Sequence, residues 1–360
     1  MRHRFGPSLY FASDKVIFDS MNQHQVNIDL IRELLNERGI IVSSNTPKEE
    51  LAQYFSRLTA DYFDHQSIAI KLGRVSKRER ITASELTGAI KNSDILDALN
   101  SLRNQLEDAG DHVDISVQDD RITALVSYEH VDYTRIDLRQ VEPRDAIIEF
   151  TKEPTGGYVI RSTQNSEIDP IVETVVANLK EKVGGDLERS RVNMESIATP
   201  ALRTKFFESL IRDIDGHKFV TVTEAYCYKP KLSELDTESE TEDIAEEVEQ
   251  LPYVEKVSLR GEGVNRSFVI KELYEKGYYI VKVVWRVQIA TRVDSDIFEL
   301  EAQFSRPEHC TGFSYRTKSV ILVDEGKVTS KRRGPKKDEE DNLFRLIEQA
   351  AKRALASLIA

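Results

Sequence analysis

The chain has 360 residues, 40% of them hydrophobic and 31% charged, with 50 Lys plus Arg against 62 Asp plus Glu, a net charge of −12. That composition supports folded cores and argues against a protein that coats nucleic acid through bulk positive charge. Two cysteines, Cys227 and Cys310, exclude a disulfide scaffold and a cysteine-built zinc site; no apolar run reaches the ~18 residues of a membrane helix, and the opening MRHRFGPSLYFASD lacks a signal-peptide stretch, so a soluble, cytoplasmic, multidomain protein is expected.

Asn27 caps a predicted helix through Arg38, with Ile28, Ile31, Leu34 and Leu35 at helical spacing and Gly39 as its stop. Thr46 caps a second helix, with Pro47 at its first position, Glu49 closing a capping box, and an apolar stripe of Leu51, Tyr54, Phe55, Leu58 and Tyr62. The basic stretch IKLGRVSKRER then reads as a hinge. Ser93 opens a helix carrying Ile95, Leu96, Leu99, Leu102 and Leu106, closed by Gly110. From His112 to Ser162 the pattern is extended, in the segments VDISV, RITALVSY, DYTRIDL, DAIIEF and YVIRS, with a turn at Thr155-Gly156-Gly157. Helices follow from Asp169-Pro170 to Gly184-Gly185 and from Thr199-Pro200 to Gly216, then the strand HKFVTVTEAYCY.

Past an acidic run come a strand (VEKVSL), a helix (SFVIKELYEKG), the strands YYIVKVVWRVQI, DIFELEAQF and FSYRTKSVILV, and a last helix from about Asp338 to Ile359. Strands cluster rather than alternate with helices, which predicts an α+β fold: an N-terminal helical hairpin, two mixed, largely antiparallel-sheet domains and a C-terminal helix.

Charge punctuates this order. Residues 1–80 hold twelve Lys/Arg and ten acids, Ser233 to Gln250 holds nine acids and no base, and Lys327 to Lys337 holds six Lys/Arg. Such runs keep chain solvated, so the expected layout is a helical module at 1–70, α+β domains at 81–230 and 246–360, and linkers at 71–80 and 231–245, with a further boundary near 325–337.

Residues 26–58, VNIDLIRELLNERGIIVSSNTPKEELAQYFSRL, combine a leucine-rich helix ending in Arg38-Gly39-Ile40, a loop with Ser43-Ser44, and Lys48-x-Glu50-Leu51 at the head of a second helix. This segment resembles the SAP family and its helix-extended-loop-helix relatives, small modules of which many bind duplex DNA. The resemblance covers about a tenth of the chain, and its loop is about two residues longer than usual. It implies phosphate contact through the loop and the start of the second helix. Backbone N–H groups at a helix start, beside Ser44, Asn45 and Lys48, also suit an anion on physical grounds, whereas Glu49 and Glu50 oppose one. The plainer alternative is a hairpin for packing or for a protein partner.

Two further basic pieces extend the expected footprint. Lys71, Arg74, Lys77, Arg78 and Arg80 follow the hairpin, and KRRGPKK, with Arg332 and Arg333, is similar to an AT-hook but lacks the arginine between Gly334 and Pro335. The candidate nucleic-acid-binding residues are therefore Arg38, Ser44, Asn45, Lys48, Lys71, Arg74, Lys77, Arg78, Arg80, Arg332 and Arg333. For the two basic pieces the alternative is an exposed linker.

Catalytic constellations are sparse. A metal-dependent nuclease could use Asp145 with Glu149 and Lys152, or Asp296 with Glu299, Glu301 and Gln303. The first is spaced Glu-x-x-Lys, and the second is what a half-exposed antiparallel strand would show. His309-Cys310 cannot activate itself in extended chain, where neighbours point apart. RGEGVNRS, Arg260 to Ser267, is a glycine turn or an anion cradle without a P-loop signature. Trp285 alternates with Val283 and Val287 as a core residue would.

The expected function is DNA association by a non-enzymatic binding or adaptor protein with no cofactor and no membrane, whose partner is duplex DNA, with a protein partner or a second copy of the chain also compatible. The second reading is an accessory or regulatory subunit of a prokaryotic antiviral assembly acting through protein or small-ligand binding. The third is the nuclease.

Overall fold

The computed structural model describes residues 12–24, 26–61, 63, 65, 68–69, 79–135, 138, 140–154, 156–184, 187–230, 254–292 and 294–359. Its elements are α+β, as expected, and the described strand pairs are antiparallel. The chain folds into two compact units that do not follow chain order: the first draws on 1–77, 91–148 and 174–182, the second on 78–90, 149–173 and 183–360.

In the first unit, α1 (Asp14–Met21), α2 (Ile28–Glu37) and α3 (Lys48–Ser56) share a core of Ile17, Met21, Ile31, Leu35, Leu51 and Phe55. Sequence reasoning missed α1, although Ser13 caps it by accepting from the Val16 N–H. Asn27 caps α2 as predicted, accepting from the Asp29 N–H at 3.2 Å. The capping box expected for α3 does not form. Pro47 is itself the extended N-cap, with ψ at 151°, so the helix starts one residue later and its cap makes no side-chain bond. Tyr54, placed on the apolar stripe, is exposed.

The helix α4 (Asn92–Asp108) buries Ile95, Leu99, Leu102 and Leu106 and packs on β2 (His112–Gln118) and β3 (Arg121–Val131). The Asp94 carboxylate accepts from the Lys91 N–H at 3.0 Å and closes its first turn. DYTRIDL, expected as a strand, forms none among its described residues. Asp132 instead accepts from both the N–H and the hydroxyl of Thr134, an Asx turn that diverts the backbone before β4 (Val141–Lys152). Both β4 and the later α5 (Ile168–Val183) give residues to the two units.

The second unit holds β5 (Tyr158–Gln164), β6 (Glu188–Arg191), α6 (Pro200–Leu210), β7 (His217–Tyr228), β8 (Lys256–Arg260), α7 (Phe268–Glu275), β9 (Tyr279–Ile289), β10 (Ile297–Arg306), β11 (Thr311–Asp324), β12 (Lys327–Arg333) and α8 (Lys337–Ile359). Within it also lies β1 (Arg80–Thr87), a strand that the sequence did not announce, hydrogen-bonded between β5 and β11. From β1 the order continues β11-β10-β9-β7-β8, with β12 added to β11 and β6 to β1.

The helix predicted to end at Gly216 ends at Leu210. The basic run predicted as a boundary is the strand β12, registered on β11 from Val320↔Arg333 to Asp324↔Lys327. The strand stays largely exposed, while carboxylates on neighbouring elements take its arginines.

One face of this sheet is apolar. Trp285, Leu300, Phe304 and Phe313 meet Phe206 and Phe207 of α6, and Tyr315 meets Phe344 of α8 at a ring separation of 5.3 Å. Trp285 is fully buried, as its alternation predicts. The other face carries a ladder of charge. Glu301 takes Arg80 at 2.6 Å, Arg316 at 3.0 Å and Lys282 at 3.5 Å, while Glu299 takes Arg286 at 3.2 Å and Arg332 at 3.1 Å. The alternation of DIFELEAQF is as read, but its glutamates are not half-exposed: Glu301 is 0% and Glu299 4% accessible. β10 lies between β9 and β11, so cations from both flanking strands close over its carboxylates.

Gly157, at φ +84°, completes the turn between β4 and β5, where an added Cβ would sit 2.4 Å from the Leu86 carbonyl oxygen of β1. Gly157→Ala is expected to cost about 1–3 kcal/mol from backbone strain alone, with the clash adding to it. Urea titration followed by Trp285 fluorescence checks this, and an unchanged midpoint would contradict the close approach.

Candidate functional site

The α2–α3 hairpin uses much of its own positive charge internally. Arg38 donates to the Thr59 carbonyl at 2.9 Å and lies 4.8 Å over the Phe55 ring. Arg32 donates to the Ser44 carbonyl at 2.6 Å, and the Lys48 ammonium donates to the Gln23 carbonyl. Desolvation of this half-buried lysine lowers its pKa. Arg32 holds the loop between the helices, whereas Arg38 and Lys48 tie the helices to the flanking chain; Ser43, Ser44 and Asn45 stay exposed ahead of α3. Glu49 and Glu50 are exposed in the first turn of α3.

Lys71, Arg74, Lys77 and Arg78 lie outside the described residues. Arg80 and Arg332 bind Glu301 and Glu299, and Arg333 binds Asp296 at 3.0 Å and both oxygens of Glu339 at 2.7 Å. Their guanidinium groups are thus engaged by the second unit's own carboxylates.

The candidate nuclease carboxylates are engaged likewise. Asp145 accepts from the Ser127 hydroxyl at 2.7 Å, Glu149 from Arg161 at 3.1 Å, and Asp296 from the Val323 N–H at 3.2 Å. Among the described residues no group of three or more His, Cys, Asp or Glu is placed to hold a metal ion. In RGEGVNRS the Gly261 and Gly263 N–H groups donate to the Thr223 and Val222 carbonyls of β7, so the turn serves the sheet. Burial pushes the Cys227 thiol up to about 12 and the Cys310 thiol up to about 11, so neither is a thiolate nucleophile at neutral pH.

What the fold assembles, and sequence reasoning did not find, is a cavity of about 290 Å³ in the second unit. Its walls are β1, β5, β6 and β11 on one side and α8 on the other. Helix α8 presents Glu348, Lys352, Leu355, Ala356 and Ile359 to it, positions that recur every three or four residues on one face. The sheet side contributes the apolar Ala83, Val159, Val192 and Phe313 and the polar Ser84, Glu85, Ser190, Arg191 and Tyr315.

Two ion pairs frame this space. Arg161 clamps Glu348 with two bonds, at 2.7 and 2.8 Å, and the Tyr315 hydroxyl donates to the same carboxylate. Burial disfavours the Arg161 cation, yet Glu348 outweighs it and raises the guanidinium pKa. Burial is also the main cause that pushes the Tyr315 phenol up, with the Glu348 charge second, so it stays a donor. The second pair, Lys352 with Glu85, is about 40% accessible on both sides and ties α8 to β1.

No protein-family model and no curated protein matches this chain. The cavity's chemistry therefore rests on its own residues. A signal for it was present: Glu348 falls among Phe344, Ile347 and Ala351 on the apolar stripe of α8, where a carboxylate needs a buried partner.

Proposed function

We propose that the chain is a DNA-associated, non-enzymatic binding protein that contacts duplex DNA through the SAP-like hairpin. The observation carrying this reading is the exposed Ser43-Ser44-Asn45 loop ahead of α3, held by Arg32 at the Ser44 carbonyl. Hydroxyl, amide and backbone N–H groups at a helix start donate to phosphate oxygens without reading base sequence. Glu49 and Glu50 beside them weaken the contact and make it sensitive to salt.

Fluorescence anisotropy of the full chain with labelled duplex DNA, at low and physiological salt, tests this. Ser44→Glu and Asn45→Asp should each weaken binding by about twofold to fivefold, the effect of one exposed charge at about 0.5–1 kcal/mol. The double variant Glu49→Gln, Glu50→Gln should strengthen it. All four positions are exposed, whereas Lys48→Glu would also break the bond to Gln23. Duplex affinity indifferent to all of these changes would return the hairpin to a packing role.

The cavity under α8 supports the second reading, an accessory or regulatory subunit of a prokaryotic antiviral assembly that responds to a small ligand.

A further inference from the structure

The cavity opens where the sheet changes partner. One edge of β1 pairs with β11 at Ile81↔Tyr315 and then with β6 from Ser84↔Arg191 to Thr87↔Glu188. At the fork the inward residue of β1 is Ala83, whose methyl group leaves the gap under α8 unfilled. The volume of about 290 Å³ equals on the order of ten water molecules. The lining is mostly apolar, so waters inside it find fewer polar partners on the walls than in bulk solvent.

The lining carries two anions, Glu85 and Glu348, and two cations, Lys352 and Arg191, and Arg191 is already paired with Glu173 outside the lining. Glu348 is held by Arg161 and Tyr315, and these bonds fix it. Glu85 and Lys352 are different: the pair is partly exposed, and among the described residues Glu85 has the Ser190 hydroxyl, at 3.4 Å, as its further donor. An exposed pair of this kind contributes little to stability and opens at low cost. It sets one anion and one cation side by side at the wall of an apolar chamber.

We propose that this cavity binds an apolar α-amino acid. The ligand ammonium lies on Glu85, its carboxylate on Lys352, and its side chain in the space floored by Ala83 and Val159 and roofed by Leu355. A zwitterionic head replaces one ion pair by two and leaves no charge unmatched, whereas a fatty acid would strand Glu85 and an alkylamine would strand Lys352. No residue of this site lies in 26–58, so the inference stands apart from the DNA reading.

Isothermal titration of the full chain with L-leucine, L-methionine and L-phenylalanine tests it, with hexanoate and hexylamine as singly charged probes of similar apolar bulk. The amino acids should bind at least tenfold more tightly than either probe. Glu85→Gln should weaken amino-acid binding at least tenfold without weakening hexanoate. Ala356→Trp, at an exposed position on the cavity face of α8, should abolish binding of all five. Thermal denaturation of each variant confirms that it folds. The inference is overturned by absence of amino-acid binding at millimolar concentration, by hexanoate or hexylamine binding as tightly, or by unchanged affinity in folded Glu85→Gln.

Discussion

Arg161→Met is expected to lower the unfolding free energy of the second unit by about 3–5 kcal/mol, the cost of leaving a buried charge without its partner. Arg161 is the bidentate donor to Glu348 and also bonds Glu149 at 3.1 Å, and the three side chains are only 6–12% accessible. Methionine fills the volume but leaves the Glu348 carboxylate, among the described residues, with the Tyr315 hydroxyl as its donor. Glu348→Gln in the Arg161→Met background should restore part of the loss, because a neutral amide there has no charge to strand. Trp285 is the chain's single tryptophan and lies in this unit's core, so its fluorescence in guanidinium chloride reports this transition. A loss below about 1 kcal/mol, the range of exposed pairs, would mean that water reaches the network.

Glu301→Gln should have an effect of similar size and a distinctive pH dependence. Burial pushes the Glu301 carboxyl up, but Arg316, Arg80 and Lys282 together outweigh it and hold the pKa below the ordinary 4.5. A carboxylate with a depressed folded pKa contributes stability that is fully present above its unfolded value and is lost as pH falls through the folded one. The wild-type chain should therefore lose stability below about pH 4.5, in the window set by this depressed value. Glu301→Gln should be weaker by about 3 kcal/mol at pH 7, and its stability should fall less steeply in acid. The two curves, measured by Trp285 fluorescence between pH 7 and pH 3, should converge toward the acid end. Parallel curves would show that the carboxyl is not titrating in that window.

Local signals were legible wherever the stabilising partner lies within a few residues. The Asn27 cap, the apolar spacing of α4, and the runs of β7, β9 and β11 were read close to their observed bounds. The Thr46 capping box failed for a local reason as well, since the extended Pro47 took the cap position.

Charge was the least reliable guide. Lys331, Arg332 and Arg333 read as solvated linker, and Glu299 and Glu301 as an exposed strand face, because a lone sequence shows charges without their partners. Arg332 finds Glu299 across 33 residues and Arg80 finds Glu301 across 221, and these pairings let the two glutamates be buried while Arg332 itself stays 51% accessible.

By itself, then, the sequence determined the α+β class, the order of most elements and the apolar face of β9 and β10, since caps and periodicity act over one or two turns of chain. Tertiary structure alone decided that residues 80–87 are a strand of the second unit and that a cavity opens beside Ala83. Those features depend on pairings such as Ile81↔Tyr315 and Ser84↔Arg191, contacts between segments more than 100 residues apart. No local preference encodes them; they exist because the sheet must satisfy its backbone donors and acceptors.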